Sequence, residues 1–298
     1  FFGFRCKNDS LFMIADWIKQ YKPQNKEETQ QALREIMQEI ALAALARAGF
    51  FEKAAFYGGT ALRIFYALPR YSEDLDFSLL KVDKSFRLAN YLNAIVNEFE
   101  ALGLKISVNE KTKKTATAID SAFLKSETFW RELVLEDTTT FNVGKEKIYI
   151  KIKLEIDTQP PSGFTTEEKL LLKPFSCYVK CFSASDLFAG KVHALLFRKW
   201  KNRVKGRDWF DFEWYIKQGI QLNVSHLNKR AKDSGDWISK KEMTSADVLR
   251  LLHEKIESVS MKQVKEDVEN FVADSSALDI WSAKYFNDLL QKIKFLEK

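Results

Sequence analysis

AAFYGGTALRIFYAL (residues 54–68) and, shortly after it, DLDFSLL (residues 74–80) decide how this chain is read. Ala54–Tyr57 is a short apolar run that predicts a strand, Gly58–Gly59 a turn, and Thr60–Leu68 a helix ended by Pro69. Asp74–Leu80 alternates strictly. Asp74, Asp76 and Ser78 take one face and Leu75, Phe77 and Leu79 the other, the pattern of a strand with one buried and one polar side. Carboxylates at i and i+2 of a strand project together, their Cα atoms roughly 6–7 Å apart. Both can then reach one hard divalent cation, for which oxygen is the preferred donor. Without a cation between them they repel.

The Gly58-Gly59-Thr60 turn adds a place for phosphate. Two glycines let the backbone bend tightly and approach a ligand with no Cβ in the way. The helix that follows presents free N–H groups and a positive dipole end. Thr60 is expected either to cap that helix or to bind a phosphate oxygen. A later strand, read over residues 147–157 as IYIKIKLEID with flanks, buries Ile148, Ile150, Ile152, Leu154 and Ile156 on one face. Lys151, Lys153, Glu155 and Asp157 lie on the other. If it neighbours Asp74–Leu80, either Glu155 or Asp157 completes a carboxylate triad of the kind two-metal phosphoryl transfer needs. Asp157 has a competing role as cap of the Thr158–Pro161 turn.

Working outward, Glu27–Ala48 carries Leu33, Ile36, Met37, Ile40, Ala44 and Leu45 at helical spacing, with Gly49 as C-cap. Ser85–Leu102 is again helical, and segments near 104–109 and 128–141 read as strands. From Ser183 the pattern is helical nearly to the end. Thr244–Asp247 forms a capping box, and a last helix starts at about Asp279 with Trp281, Phe286, Leu289, Leu290 and Ile293 as its stripe. The fold class expected is α+β: a mixed sheet with flanking helices over residues 1–180, followed by a helical bundle over 181–298, joined near Pro174–Ser183.

Two features of the helical half bear on chemistry. Lys191, in Ala189-Gly190-Lys191, stands among Leu187, Phe188, Val192, Leu195 and Leu196, so its stem is partly buried and its ammonium can point into a cleft to hold a triphosphate. Arg207-Asp208-Trp-Phe-Asp211 opens another helix, where Asp208 caps, orients Lys191 or Arg198, or acts in the site. His193 reads as a packed helix residue. RKWKNRVKGR (198–207) holds six Lys or Arg and no acid. Arg198, Lys199, Lys201, Arg203, Lys205 and Arg207, interleaved with Trp200 and Trp209, suit an RNA backbone.

At these residues the sequence resembles the AbiEii/AbiGii toxin family of polymerase-β-like nucleotidyltransferases. FYGGTALR followed by Arg70-Tyr-Ser-Glu-Asp74-Leu-Asp76-Phe looks like that family's signature. The Lys191 helix and the Arg207-Asp208-x-x-Asp211 segment look like its third and fourth motifs. The resemblance spans roughly residues 30–215. It implies a toxin of a bacterial toxin–antitoxin or abortive-infection system; the related MenT toxins transfer nucleotides to the 3′ end of tRNA. It implies Asp74 and Asp76 as metal ligands, with Gly58, Gly59, Thr60, Arg70 and Ser72 at the nucleotide's phosphates. Lys191 and Asp208 match the later motif residues. Thr60 stands where many nucleotidyltransferases have Ser, and the hydroxyl is kept.

Composition bounds the rest. The 298 residues, 46% hydrophobic, can build one large or two smaller cores, and 11 Gly with 5 Pro argue against disorder and fibrous repeats. Cys6, Cys177 and Cys181 are too few for a disulfide framework and lack zinc-ligand companions, which points to a reducing compartment. No apolar run approaches membrane-spanning length. The first ten residues do not read as a signal peptide, and the absent Met suggests a trimmed start; a cytoplasmic protein with no membrane partner is expected. A net charge of +6 favours a polyanionic partner. The expected function is Mg²⁺- (or Mn²⁺-) dependent transfer from an NTP to RNA, tRNA above all, with a cognate antitoxin as further partner. The alternatives are transfer to a small molecule, as in aminoglycoside nucleotidyltransferases, whose cationic acceptor the basic run disfavours, and an NTP- or RNA-binding module without turnover.

Overall fold

The computed structural model describes residues 7–109, 128–135, 150–198, 204–272 and 274–296. The chain divides into two compact units. The first comprises residues 1–65, 72–160 and 168–181, the second 66–71, 161–167 and 182–298. Two short stretches, 66–71 and 161–167, thus interrupt the first unit's sequence and belong to the second.

The first unit is built on a mixed sheet. Its strands are β1 (Ala54–Tyr57), β2 (Leu75–Leu79), β3 (Ile106–Asn109), β4 (Thr128–Leu135), β5 (Lys151–Asp157), β6 (Thr166–Leu171) and β7 (Cys177–Phe182), in the order β3-β4-β5-β2-β1-β7-β6. β2 runs antiparallel to β1 and parallel to β5. Among the described residues this unit carries the helices α1 (Lys7–Gln20), α2 (Lys26–Arg47), α4 (Ala89–Ala101) and all of α3 (Gly58–Tyr66) but its last residue. α3 follows β1 directly. Asn25 caps α2 by accepting from the Glu28 amide at 2.8 Å, and Gly49, at φ 73°, ends the turn after it. Phe77, on the apolar face of β2, meets Phe50 at 5.0 Å and Phe56 at 5.2 Å between ring centroids. Such pairs add about 0.5–1.5 kcal/mol beyond area burial, so β2's apolar side is anchored in the core.

β6 and β7 were not expected from the sequence, which reads 174–183 as a linker. β7 enters the sheet beside β1, with Cys181 opposite Phe56. β6 is the edge strand, and its Thr-Glu-Glu-Lys start gives it the polar face that keeps an edge from pairing with other chains. Cys181 is buried and Cys177 partly so, and neither forms a disulfide. Other boundaries shift by a few residues: the helix expected over 85–102 spans 89–101, and of the strand expected over 147–157, residues 147–149 lie outside the described residues.

On α2, burial first and Glu35 second push the Glu39 carboxyl up to about 7, while Lys173 pulls the other way. The folded chain therefore holds this proton more tightly than the unfolded chain does. Stability from this group is fully present below pH 4.5 and lost as pH rises through about 7. Glu39→Gln is expected to remove that loss, so the variant's thermal midpoint should exceed the parent's above pH 7 and the gap should close on acidification. An unchanging gap across this range would reject it. His193 and His226, held down to about 4 by burial, change stability with the opposite sign but equally in both proteins.

The second unit is helical: α5 (Ala184–Phe197), α6 (Gly206–Lys217), α7 (Val224–Asp233), α8 (Ser245–Ser258), α9 (Met261–Val268) and α10 (Ala283–Leu290), with a two-residue parallel pair, β8 (Gln221–Leu222) and β9 (Lys294–Phe295). The Thr244 capping box is present, with Asp247 as its acid. The last helix starts at Ala283 behind a Ser282 cap rather than at Asp279. α6 is buried on nearly every side, which needs apolar residues all round or paired charges. It has both: Trp209 packs on Phe286 at 5.0 Å, and Glu213 accepts from Trp281 Nε1 at 3.1 Å. No helix among the described residues is long and apolar enough to cross a membrane.

Candidate active site

In the first unit the sheet register decides which acids meet. β2 and β5 align Asp76 with Glu155 and Ser78 with Asp157. All four side chains share the face opposite Phe77 and Ile156, because successive residues of a strand alternate sides. Directly paired Cα atoms on neighbouring strands are about 4.7–4.9 Å apart, so Glu155 is the near acid to Asp76. Asp157 is a diagonal neighbour at about 7–8 Å, and its Oδ1 accepts from the Gln159 amide at 2.9 Å, capping the turn after β5. Lys153, on the same face, pairs with Glu155.

Gly58 sits against this pair. Its φ of +84° is the left-handed region that suits glycine, and a Cβ there would lie 3.2 Å from Asp76 Cγ and overlap its Oδ2. Any other residue at 58 would push the Asp76 carboxylate aside. α3 begins at Gly58 itself, so the N–H groups of Gly58, Gly59 and Thr60 are among the first-turn donors that have no partner within the helix. This differs from the expected helix start at Thr60. Thr60 is not the cap: it is 0% exposed, and its Oγ1 donates to the Asp74 carbonyl and lies 2.9 Å from Ser72 Oγ. Its hydroxyl is therefore taken up in fixing the segment that carries Asp74, and Ser72 is tied to the same anchor.

Two residues of α2 complete this arrangement. Gln38 Nε2 donates to the Ser72 and Glu73 carbonyls at 3.1 and 3.0 Å. The signal for it was a lone amide in an otherwise apolar stripe. Arg34 is pushed down by burial and raised by Glu73 and Asp74, which places a cation near the acids. Among the described residues no three His, Cys, Asp or Glu side chains already converge on one point. Asp74, Asp76 and Glu155 carry oxygen donors of the kind a hard divalent cation prefers, and Asp76 and Glu155 stand in direct register.

The second unit, described by itself, holds a charged cluster. Lys191 Nζ lies 2.7 Å from Asp208 Oδ1 and 2.8 Å from Asp211 Oδ2. Arg70 closes its fork on Asp211, Nε to Oδ1 and Nη2 to Oδ2, both at 2.6 Å. Burial alone would lower the Lys191 ammonium, but Asp208 and Asp211 outweigh it and hold it above its usual value. Burial alone would raise Asp208, but Lys191, Lys205 and Arg198 bring it to about 2. Both groups stay charged. Arg70, expected at the nucleotide's phosphates, is 3% exposed and engaged with Asp211 and the Tyr71 carbonyl. Asp211 is the residue whose weight the sequence did not reveal.

Of the basic run, Arg198 is exposed, Lys205 half-buried, and Arg207 lies 4.0 Å over the Phe271 ring. Trp209, expected to engage RNA, is 2% exposed and part of the helical core. Lys199, Trp200, Lys201 and Arg203 lie outside the described residues. His193 is packed, with Nε2 3.0 Å from Ser234 Oγ.

Comparison with known proteins agrees with the fold and with the family resemblance. Residues 40–292 match the family described as nucleotidyl transferase AbiEii toxin, type IV TA system. Among solved structures, MenT4, a nucleotidyltransferase toxin from Mycobacterium tuberculosis, is 14% identical over 96% of this chain and 90% of its own, with a TM-score of 0.59. JHP933 from Helicobacter pylori is 18% identical over 88% of this chain and 90% of its own, with a TM-score of 0.49. The MenT4 likeness shows the shared fold. No curated protein matches the chain.

Proposed function

The chain belongs to the AbiEii nucleotidyl transferase toxin family of type IV toxin–antitoxin systems, and from that premise we propose that it transfers a nucleotide from an NTP to the 3′ end of a tRNA. One observation carries the reading: Asp76 and Glu155 face each other across β2 and β5, with Gly58 at the start of α3 packed against Asp76. Acids and phosphate-binding amides thereby share one place. In this reading Asp74, Asp76 and Glu155 hold a divalent cation, Mg²⁺ or Mn²⁺. The cation would lower the pKa of the attacking hydroxyl and neutralise the leaving pyrophosphate. The first-turn amides of α3 bind phosphate oxygens. Thr60, Ser72 and Gln38 keep Asp74 in place, and Lys153 orients Glu155. Arg198 and Lys205 engage the RNA backbone. A cognate antitoxin opposes this activity in the cytoplasm.

The test is direct. The full chain, Mg²⁺ and total tRNA are incubated with each α-labelled NTP, and RNA and pyrophosphate are resolved. Label in tRNA-sized RNA with matching pyrophosphate release is the expected result. Release only with an aminoglycoside acceptor would shift the acceptor to a small molecule. NTP binding with no release would leave a binding module.

A further inference from the structure

A cavity of about 200 Å³ opens in the second unit among α5, α6 and α8. Its wall includes Arg198 just past α5, Lys205 at the start of α6 and Lys255 on α8, over a floor that includes Leu195 and Trp209. We propose that this cavity is a phosphate-binding site, in which Arg198, Lys205 and Lys255 converge on one phosphate group of a nucleotide or of an RNA strand.

Arg198 and Lys205 both come from the basic stretch 198–207, but the fold brings a third cation to them. Lys255 lies well outside that stretch. The acid in the wall, Asp208, bonds Lys191 at 2.7 Å and is also held down by Lys205 and Arg198, so three basic side chains of the wall stand against one acid. The crowding is visible in Lys205 itself. Burial first, then Lys191, Arg198 and Arg207, bring its ammonium down to about 8 against the pull of Asp208. An anion seated there relieves both the burial cost and the repulsion. One water needs about 10–15 Å³ of such space, so the cavity has room for a phosphate group with water around it. The proposal rests on the transferase reading only for the source of the phosphate.

The test is calorimetric titration of the full chain with inorganic phosphate, ATP and a short single-stranded RNA, each at fixed ionic strength. Lys255→Glu should weaken inorganic phosphate at least about tenfold, the loss of one charge-assisted hydrogen bond, and Lys255→Gln should fall between it and the parent. Whichever of ATP and RNA weakens in parallel identifies the source; for RNA, the salt dependence should also drop by about one counterion. The urea midpoint should barely move for Lys255→Gln, which keeps the comparison valid if the glutamate variant folds poorly. In an Asp76→Asn background, which stops nucleotide transfer, Lys255→Glu should still weaken phosphate by the same factor, so a failed transferase reading and a failed cavity are told apart. Parental protein that binds no phosphate saturably, or Lys255 variants that bind it as the parent does, would overturn the proposal. So would a loss confined to inorganic phosphate.

Discussion

Asp211→Asn is expected to destabilise the second unit by about 3–5 kcal/mol, the cost of removing one partner from a buried ion pair. Asp211 is 0% exposed, and both its oxygens are engaged: Oδ1 with Arg70 Nε, Oδ2 with Arg70 Nη2 and Lys191 Nζ. Asparagine preserves the volume and one acceptor but not the charge. Lys191 would still have Asp208, whereas the buried Arg70 guanidinium would lose its carboxylate. Against a typical total stability of about 5–15 kcal/mol, that loss is a third or more. Trp209, Trp214 and Trp281 are all buried in this unit, so their fluorescence during urea unfolding reports on it. The double replacement Asp211→Leu with Arg70→Met removes both charges and should recover most of the loss, since apolar substitutes for a buried pair are often neutral or better. A change of less than about 1 kcal/mol in Asp211→Asn would mean that the cluster is wetter or looser than its distances suggest. Acid should weaken the same cluster. Asp208, held down to about 2, contributes stability above 3.8 that is lost as pH falls through about 2.

Asp211 also marks where the sequence stops being informative. Its partner Arg70 lies 141 residues away, and nothing in the spacing of Arg70-Tyr-Ser-Glu-Asp74 separates a nucleotide ligand from the buried half of an ion pair. Local patterns were legible because they are periodic. The alternation of Asp74–Leu80 and of Lys151–Asp157, the stripe of α2 and the Thr244 capping box each follow from geometry internal to one element. What failed was non-local or fell in short elements. The choice between Glu155 and Asp157 depends on how β2 and β5 align, which no residue in either strand states by itself. β7 was hidden because Pro174 and the cysteine pair make its approach look like a linker. Trp209 next to a basic run resembles a stacking platform, yet α6 needs that ring against Phe286 to fill the bundle. Thr60 looked like a cap because the helix was started two residues late; with Gly58 as the first helical residue, the hydroxyl points back to the Asp74 segment instead.

The register makes a sharp expectation for the carboxylates themselves. Asp76→Asn and Glu155→Gln should each reduce nucleotide transfer by more than about 100-fold, because even outer-sphere partners of a metal ligand are worth about 10–100-fold. Asp157→Asn should leave transfer little changed. Its Oδ1 accepts from the Gln159 amide, and asparagine retains that acceptor while losing only the charge. The three substitutions are close to isosteric, so differences among them report charge and position rather than packing. Stability should run the other way. Asp76 and Glu155 stand directly opposite one another, and without a cation like charges so placed are destabilising. Asp76→Asn should therefore melt at or above the parent temperature in the presence of a chelator, and added Mg²⁺ should raise the midpoint of the parent but not of the variant. If Asp157→Asn instead fell as far as Glu155→Gln, the third ligand would be Asp157. Asp157 would then reach the cation diagonally from its place opposite Ser78, at a separation similar to that between Asp74 and Asp76.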